Sequence, residues 1–237
     1  MEYQWHWNVF FQISPDAGQA YWILFVKGFA ATLAVSAASW IIAFVLGVIV
    51  GAARTSLIFW IRMPAYLYVH LFRGVPLLVQ LFLWYFVFPE MFDSVKAVVV
   101  RTDAMYVQFI AVTVCLGLFT SARVAEQVRS GIESLSRGQR SAGMALGLHP
   151  AQIYRYVLLP QSMRLIVPPL TSELMNLIKN SSIALTIGFA ELTFRAREIG
   201  ETTFSYFEAF IVTTIVYIAI ALTAYAVMAR FEPRKTA

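Results

Sequence analysis

Between Gly28 and Ala53 the chain contains no Asp, Glu, Lys or Arg. A helix needs about 20 apolar residues to cross the hydrocarbon core of a bilayer. This stretch is longer than that, so a membrane span is predicted from about Tyr21 to Ala53. Lys27 lies near its start, where it can extend its amine to the interface. Gly47 and Gly51 inside the span form G-x-x-x-G, a spacing that lets helices approach closely in lipid. The rest of the chain agrees with lipid as the solvent. Hydrophobic residues make up 59% and charged residues 13%, with mean hydropathy +0.69. A soluble domain is about one quarter charged.

Four further spans are predicted: residues 63–89, 104–122, 165–187 and 208–228. The second is interrupted by Arg73, Gly74 and Pro76, so a break is expected near Gly74. The third continues into polar sequence carrying Arg123, Glu126 and Arg129. The fourth is polar for a span, with Glu173, Asn176, Lys179 and Asn180. Residues 54–62 and 89–103 read as short loops, and 189–207 as a polar loop with room for a short helix. No internal repeat or second domain is visible, so residues 1–237 read as one transmembrane domain.

Orientation follows from the basic residues. Eleven of the 18 Lys and Arg fall on one side of these spans and five on the other, with Arg73 and Lys179 inside spans. The richer side is cytoplasmic, which places the N-terminus outside and the C-terminus inside. The net charge of +5 reflects this bias. No basic run with interleaved aromatics suggests nucleic acid. Residues 1–20 carry Glu2 and Asp16 but no Lys or Arg, unlike a cleavable signal peptide. Their aromatics, Tyr3, Trp5, Trp7, Phe10 and Phe11, suit a membrane–water interface, and His6 reads as an interfacial side chain. Cys115 is the single cysteine. It excludes an internal disulfide framework and a cysteine zinc cluster, and its apolar neighbours point to a packing role.

The stretch from Ser136 to Pro160 is a polar island. It reads as a cytoplasmic helix–turn–helix. Ser136 with Gln139 can form a capping box, Gly147 suits the position just past a helix end, and Pro150 suits the first position of the next helix. Pro160 is expected to end that helix.

This island resembles the "EAA" loop of ABC-importer permeases, E-A-A-x3-G-x9-I-x-L-P. Ser141, Ala142 and Gly143 stand for E-A-A, Gly147 follows at the right spacing, and Val157 to Pro160 close the pattern. F-R-G-V-P-L-L-V-Q resembles polar amino-acid permeases, as do A-E-Q-V-R and L-I-K-N-S-S. The surrounding strings from Ser121 to Gln139 and Tyr154 to Pro160 look like glutamate/aspartate permeases. The resemblance implies an all-α integral membrane protein with about five transmembrane helices and the type I ABC importer permease fold. It implies a periplasmic N-terminal segment (1–20), coupling helices (136–160), and a bacterial inner-membrane location. It further implies a dimer of cytoplasmic ATPase subunits, a second permease subunit (the same chain or another) and a periplasmic solute-binding protein. ATP and Mg would sit on the ATPase, and no cofactor on this chain. The coupling contact would use Arg137, Gln139, Ser141, Ala142, Gly143, Ala145, Leu146, Gly147 and Leu148.

Ionisable side chains inside a bilayer need a partner or a purpose. Asn176, Lys179, Asn180, Ser181 and Ser182 form a candidate surface for a polar solute. The alternative is that Lys179 pairs with Glu173 or extends its amine to the interface, and that the amides bond neighbouring helices. The resemblance puts Asp in many relatives where Asn180 stands here, so a charge that would repel an acidic substrate is missing. Arg123, where many family members have an aromatic, is either a helix-end partner of Glu126 or a fork for a substrate carboxylate. Arg73 either supports the break or joins the site. Together these predict uptake of a polar, acidic amino acid.

Catalysis has no constellation. H-E-x-x-H, G-x-S-x-G and the Walker A string are all missing. His6, His70 and His149 are scattered, and Glu90 and Asp93 sit in a short loop. No catalytic or metal-ligating residue is expected. The competing function is an ATP-independent secondary transporter or channel for small polar solutes, with Lys179 and Glu173 coupling ions.

Overall fold

The computed structural model describes residues 3–135 and 137–231, and of Arg137, Arg140, Met163 and Arg164 only the backbone. Among the described residues the secondary structure is helical throughout, apart from a lone bridge between Ile13 and Ala20. The long apolar run becomes α1, Tyr21–Arg54. It is followed by α2, Phe59–Gly74, and α3, Leu77–Phe82. A π turn and a 3-10 turn carry α3 on to Met91. Next come α4, Asp93–Arg101, and α5, Ala104–Glu133. Two short helices, α6 (Arg137–Ala145) and α7 (Pro150–Ile153), precede α8, Leu159–Asn180. A 3-10 stretch follows to Ile187, then α9 (Leu192–Thr203) and α10 (Tyr206–Ala229).

Three described helices, α1, α5 and α10, are long and apolar enough to cross a membrane. The stretches Phe59–Gly74 and Leu77–Met91 qualify together as one bent span, with an angle of 103° at the break. This is the expected break at Gly74 to Pro76. Val75 is extended (φ −101°, ψ 132°), as a residue before proline prefers. The expected span over 165–187 does not reach the same apolarity. Its helix α8 has 22 residues, about 33 Å of rise, but its polar residues lower its hydropathy.

Three expectations need correction. Residues 89–103 are not a plain loop, because α4 occupies most of them. Asp93 in its first turn and Arg101 in its last complement the helix dipole. The loop after α1 is shorter than 54–62, since α2 starts at Phe59. Pro160 does not end the helix. A π turn over Tyr154–Leu158 precedes it, and the wider turn leaves room for the ring, so α8 continues past it. The expected cap at Ser136 lies outside the described residues.

The chain forms two compact units. One comprises residues 1–39, 78–115 and 177–223; the other 40–77, 116–176 and 224–237. In the first, Val9, Tyr21, Leu24 and Phe25 pack with Leu192, Ala196, Ile199 and Ala209. The N-terminal segment belongs to this unit. The Tyr3 hydroxyl donates to Glu208 (2.7 Å), as does the His6 backbone amide (2.6 Å). In the second, Val124, Val128 and Ile132 of α5 pack with Ile153, Leu158, Ile166 and Leu170. The Gly47–Gly51 pair seats α1 against α5. A Cβ on Gly47 would lie 2.5 Å from Val124, and one on Gly51 2.6 Å from the Ala125 carbonyl.

Candidate functional site

In the second unit α5 presents its polar residues to three neighbouring helices. Glu126 receives Arg54 from the end of α1 and Arg129 from its own helix, whose Nε lies 3.0 Å from Oε1. Arg73, in the last turn of α2, approaches the same carboxylate at 3.6 Å. Arg129 also pairs with Glu133. The Arg54 side chain is only 10% exposed, and its guanidinium lies over the Tyr66 ring at 5.7 Å. One carboxylate thus gathers three guanidinium groups from three helices. Arg73 belongs to this group, and 51% of its side chain remains exposed.

Arg123 does not join it. Its Nε lies 3.3 Å from Glu173 of α8, and its guanidinium stands 5.7 Å from the Phe119 ring. The local spacing that favours Glu126 as its partner is overridden by the facing of α5 on α8. The same contact corrects the pairing of Lys179 with Glu173, because Arg123 holds that carboxylate. The residue Glu173 is 8% exposed, and its Oε2 has no hydrogen bond. Asn176, one turn further along α8, is half-buried.

The other predicted site residues belong to the first unit. Lys179 is exposed and Asn180 half-buried. The Ser181 hydroxyl is buried and donates to the Ile178 carbonyl (2.7 Å), and Ser182 donates to that of Lys179 (2.8 Å). Both serines thus satisfy their own backbone at the change from α-helix to 3-10 geometry. The 3-10 stretch ends at Gly188, at φ +81°. Its last carbonyl, that of Ile187, accepts from Gln108 (2.9 Å). Beyond it, Glu191 caps α9 by accepting from the Thr193 and Phe194 amides and from the Tyr217 hydroxyl. Burial raises the Glu191 carboxyl above its usual range, against these hydrogen bonds.

The helix–turn–helix is built in the second unit as its turn residues suggest. Gly147 lies at φ +76°. Its amide bonds the Met144 carbonyl and the Leu148 amide bonds that of Gly143, the pair that defines a Schellman cap. Pro150 opens α7, as expected. The cap before it is His149, which accepts from the Ala151 amide while Gln152 returns to the His149 amide. Sequence reading missed it because histidine is an unusual N-cap. Gly143 sits against Ile153, whose Cγ1 would be 3.0 Å from a Cβ, so the glycine lets α6 approach α7. The helix presents Ala142, Met144, Ala145 and Leu146 outward, with Leu146 81% exposed. Gln139 accepts from Gln161 (3.4 Å). Among the described residues no cluster of His, Cys, Asp or Glu could hold a metal.

Known proteins are similar to this chain in sequence and fold. The family model described as binding-protein-dependent transport system inner membrane component matches residues 43–237. The glutamate/aspartate import permease protein GltJ of Escherichia coli (strain K12) is 42% identical over 234 residues, spanning 98% of this chain and 95% of that protein. The glutamine transport system permease protein GlnP of the same strain is 32% identical over 211 residues, 89% of this chain and 92% of that protein. A solved amino acid ABC transporter, crystallised with histidines, aligns with TM-score 0.72 at 32% identity, covering 90% of this chain and 94% of that one. The MetNI methionine ABC transporter in an inward-facing form aligns with TM-score 0.67 at 21% identity, covering 90% and 98%, a likeness of fold alone.

Proposed function

This chain belongs to the family of binding-protein-dependent transport system inner membrane components, and on that basis we propose that it carries an acidic amino acid, of the glutamate/aspartate kind, across the bacterial inner membrane. At the coarser level it is an all-α, membrane-spanning permease of an amino-acid ABC importer. The acidic reading is supported by the relative that is 42% identical over nearly the whole chain. The observation that carries it is the guanidinium of Arg123. The Arg123 side chain is 40% exposed and meets a carboxylate at one nitrogen, which leaves its fork able to take a second carboxylate. Asn180 adds no negative charge nearby in sequence.

In this reading ATP is hydrolysed on a dimer of partner ATPase subunits that bind α6 and its turn, Arg137 to Leu148. A second permease completes the pathway, and a periplasmic solute-binding protein delivers substrate. Closure of the ATPase dimer would move α6 and α7. The packing of α7 and the π turn after it on α5 and α8, through Ile153 and Leu158, would carry that motion to the helices bearing Arg123 and Glu173 as rigid-body rocking. The ATP-independent alternative is not favoured, since nearly the whole chain aligns with an import permease.

The test is uptake by the complete importer in proteoliposomes. Arg123→Tyr and Asn180→Asp should each reduce L-glutamate uptake about tenfold more than L-glutamine uptake, the scale of one charge-assisted contact. Equal losses for both substrates, with normal assembly, overturn the acidic reading.

A further inference from the structure

A structural ion pair inside a protein is stable when both ions are fully hydrogen-bonded, because desolvation otherwise exceeds the Coulombic gain. The pair between Arg123 and Glu173 does not meet that condition. Glu173 is buried to 8% exposure on α8, and its Oε2 accepts no hydrogen bond. Arg123 meets that same oxygen with Nε at 3.3 Å, an ion pair without a hydrogen bond, and keeps 40% of its side chain exposed. The contrast with Glu126 is informative. That carboxylate lies a single helical turn along α5 and is hydrogen-bonded by Arg54 and Arg129. A buried acceptor left unsatisfied beside a half-free donor requires an explanation, and a ligand that completes both supplies one.

We propose that Glu173 is a substrate-binding residue that takes the α-ammonium of the amino acid, while Arg123 takes its side-chain carboxylate. This rests on the acidic reading above for the role of Arg123. In the empty protein the two side chains neutralise each other at a single contact. An amino acid with an acidic side chain carries an ammonium and a carboxylate within a few bonds. It can enter between them, exchanging one imperfect pair for two complete ones. Neither protein charge is left buried and unpaired at any stage. A dicarboxylate without the ammonium offers Glu173 no partner and brings further negative charge against it. Glu173 therefore also rejects acids that are not amino acids, by the penalty of an orphaned charge. Asn176, half-buried one turn further on, lies on the same side of α8 and is placed to contribute a polar contact.

The experiment uses the complete importer complex in lipid nanodiscs without the solute-binding protein, titrated calorimetrically with L-glutamate, L-glutamine and glutarate, the five-carbon dicarboxylate that lacks the ammonium. The wild-type complex should bind L-glutamate at least about tenfold more tightly than glutarate. Glu173→Gln should weaken L-glutamate and L-glutamine about tenfold to a hundredfold and leave glutarate unchanged or tighter. Glu173→Asp, which keeps the charge, should retain part of the preference. Three outcomes overturn the proposal: no preference over glutarate in the wild-type complex, a preference that survives Glu173→Gln, or, if that variant does not assemble, an assembled Glu173→Asp complex with no altered preference. The acidic reading fails separately. If Arg123→Gln leaves the ratio of L-glutamate to L-glutamine affinity unchanged, Arg123 does not select acids, whereas the ammonium role of Glu173 is judged on glutarate alone.

Discussion

The contact between α1 and α5 makes a quantitative prediction at Gly51. A Cβ placed there lies 2.6 Å from the Ala125 carbonyl oxygen and 2.6 Å from the Val128 Cβ. Comfortable separations are about 3.5–4.0 Å, so the two helices must part by up to about 1 Å. Neither obstacle can rotate away, since one is backbone and the other is a Cβ. Overpacking of this kind costs about 1–3 kcal/mol. The gain from replacing a helical glycine by alanine is at most about 1 kcal/mol. With two fixed atoms at 2.6 Å the cost falls in the upper part of that range, about 2–3 kcal/mol, so Gly51→Ala should destabilise by about 1–2 kcal/mol net. With the scaling of soluble domains, about 2–4 °C per kcal/mol, the purified complex should lose about 2–8 °C of thermal midpoint in scanning fluorimetry. Gly74→Ala serves as the control, because a Cβ there meets nothing within 4 Å. A Gly51→Ala midpoint equal to or above wild type would refute the close-contact argument and leave only helix propensity at work.

Two further outcomes follow from the charges. Glu126→Gln removes the carboxylate that holds Arg54, whose side chain is 10% exposed. Breaking a buried pair from one side costs about 3–5 kcal/mol. Glu126 itself is 25% exposed, so about 3 kcal/mol is expected, read as a lower midpoint and poorer recovery in size-exclusion chromatography; unchanged recovery and midpoint would show that the other contacts suffice. Glu191 gives a pH dependence. Burial raises its carboxyl above the ordinary 4.5 in the folded protein. A group raised on folding contributes stability below its unfolded pKa, and that share is lost as pH rises through the folded value. The midpoint of Glu191→Gln should thus fall less than that of wild type as pH rises from 4.5, and parallel curves would exclude Glu191 as the cause.

Features governed by local chemistry were legible in the sequence. The break at Gly74–Pro76, the Schellman cap at Gly147 and the start of α7 at Pro150 each depend on a few neighbouring residues. The Gly47–Gly51 spacing correctly marked a close helix contact. Non-local choices were not legible. The three-residue spacing favoured Glu126 as the partner of Arg123, and nothing in sequence says that α8 brings Glu173 to that position. Glu173 was visible as an acid inside a span, but its partner was not. Pro160 misled for a related reason. Its ring clashes in a regular helix, and the π turn that relieves the clash has no composition of its own. Helix α4 was hidden by its mixed charges, which resemble a loop until their order along the dipole is considered.

The backbone from Pro150 to Glu173 is helical without interruption, yet it is not uniformly stiff. The ladder of hydrogen bonds is relaxed at the π turn of Tyr154–Leu158 and again at Pro168 and Pro169, which lack amide donors. Pro160, just past the π turn, lacks a donor too, so the regular stretch between these points is residues 161–167, about two turns. Such a rod has two joints. Torque applied at Pro150 would be absorbed as changes of twist at the joints, while the stretch between them turns as a solid piece. The angle through which Glu173 swings would then be set by the difference between two small rotations, so the prolines would act as a gear between the polar end of the helix and its buried carboxylate.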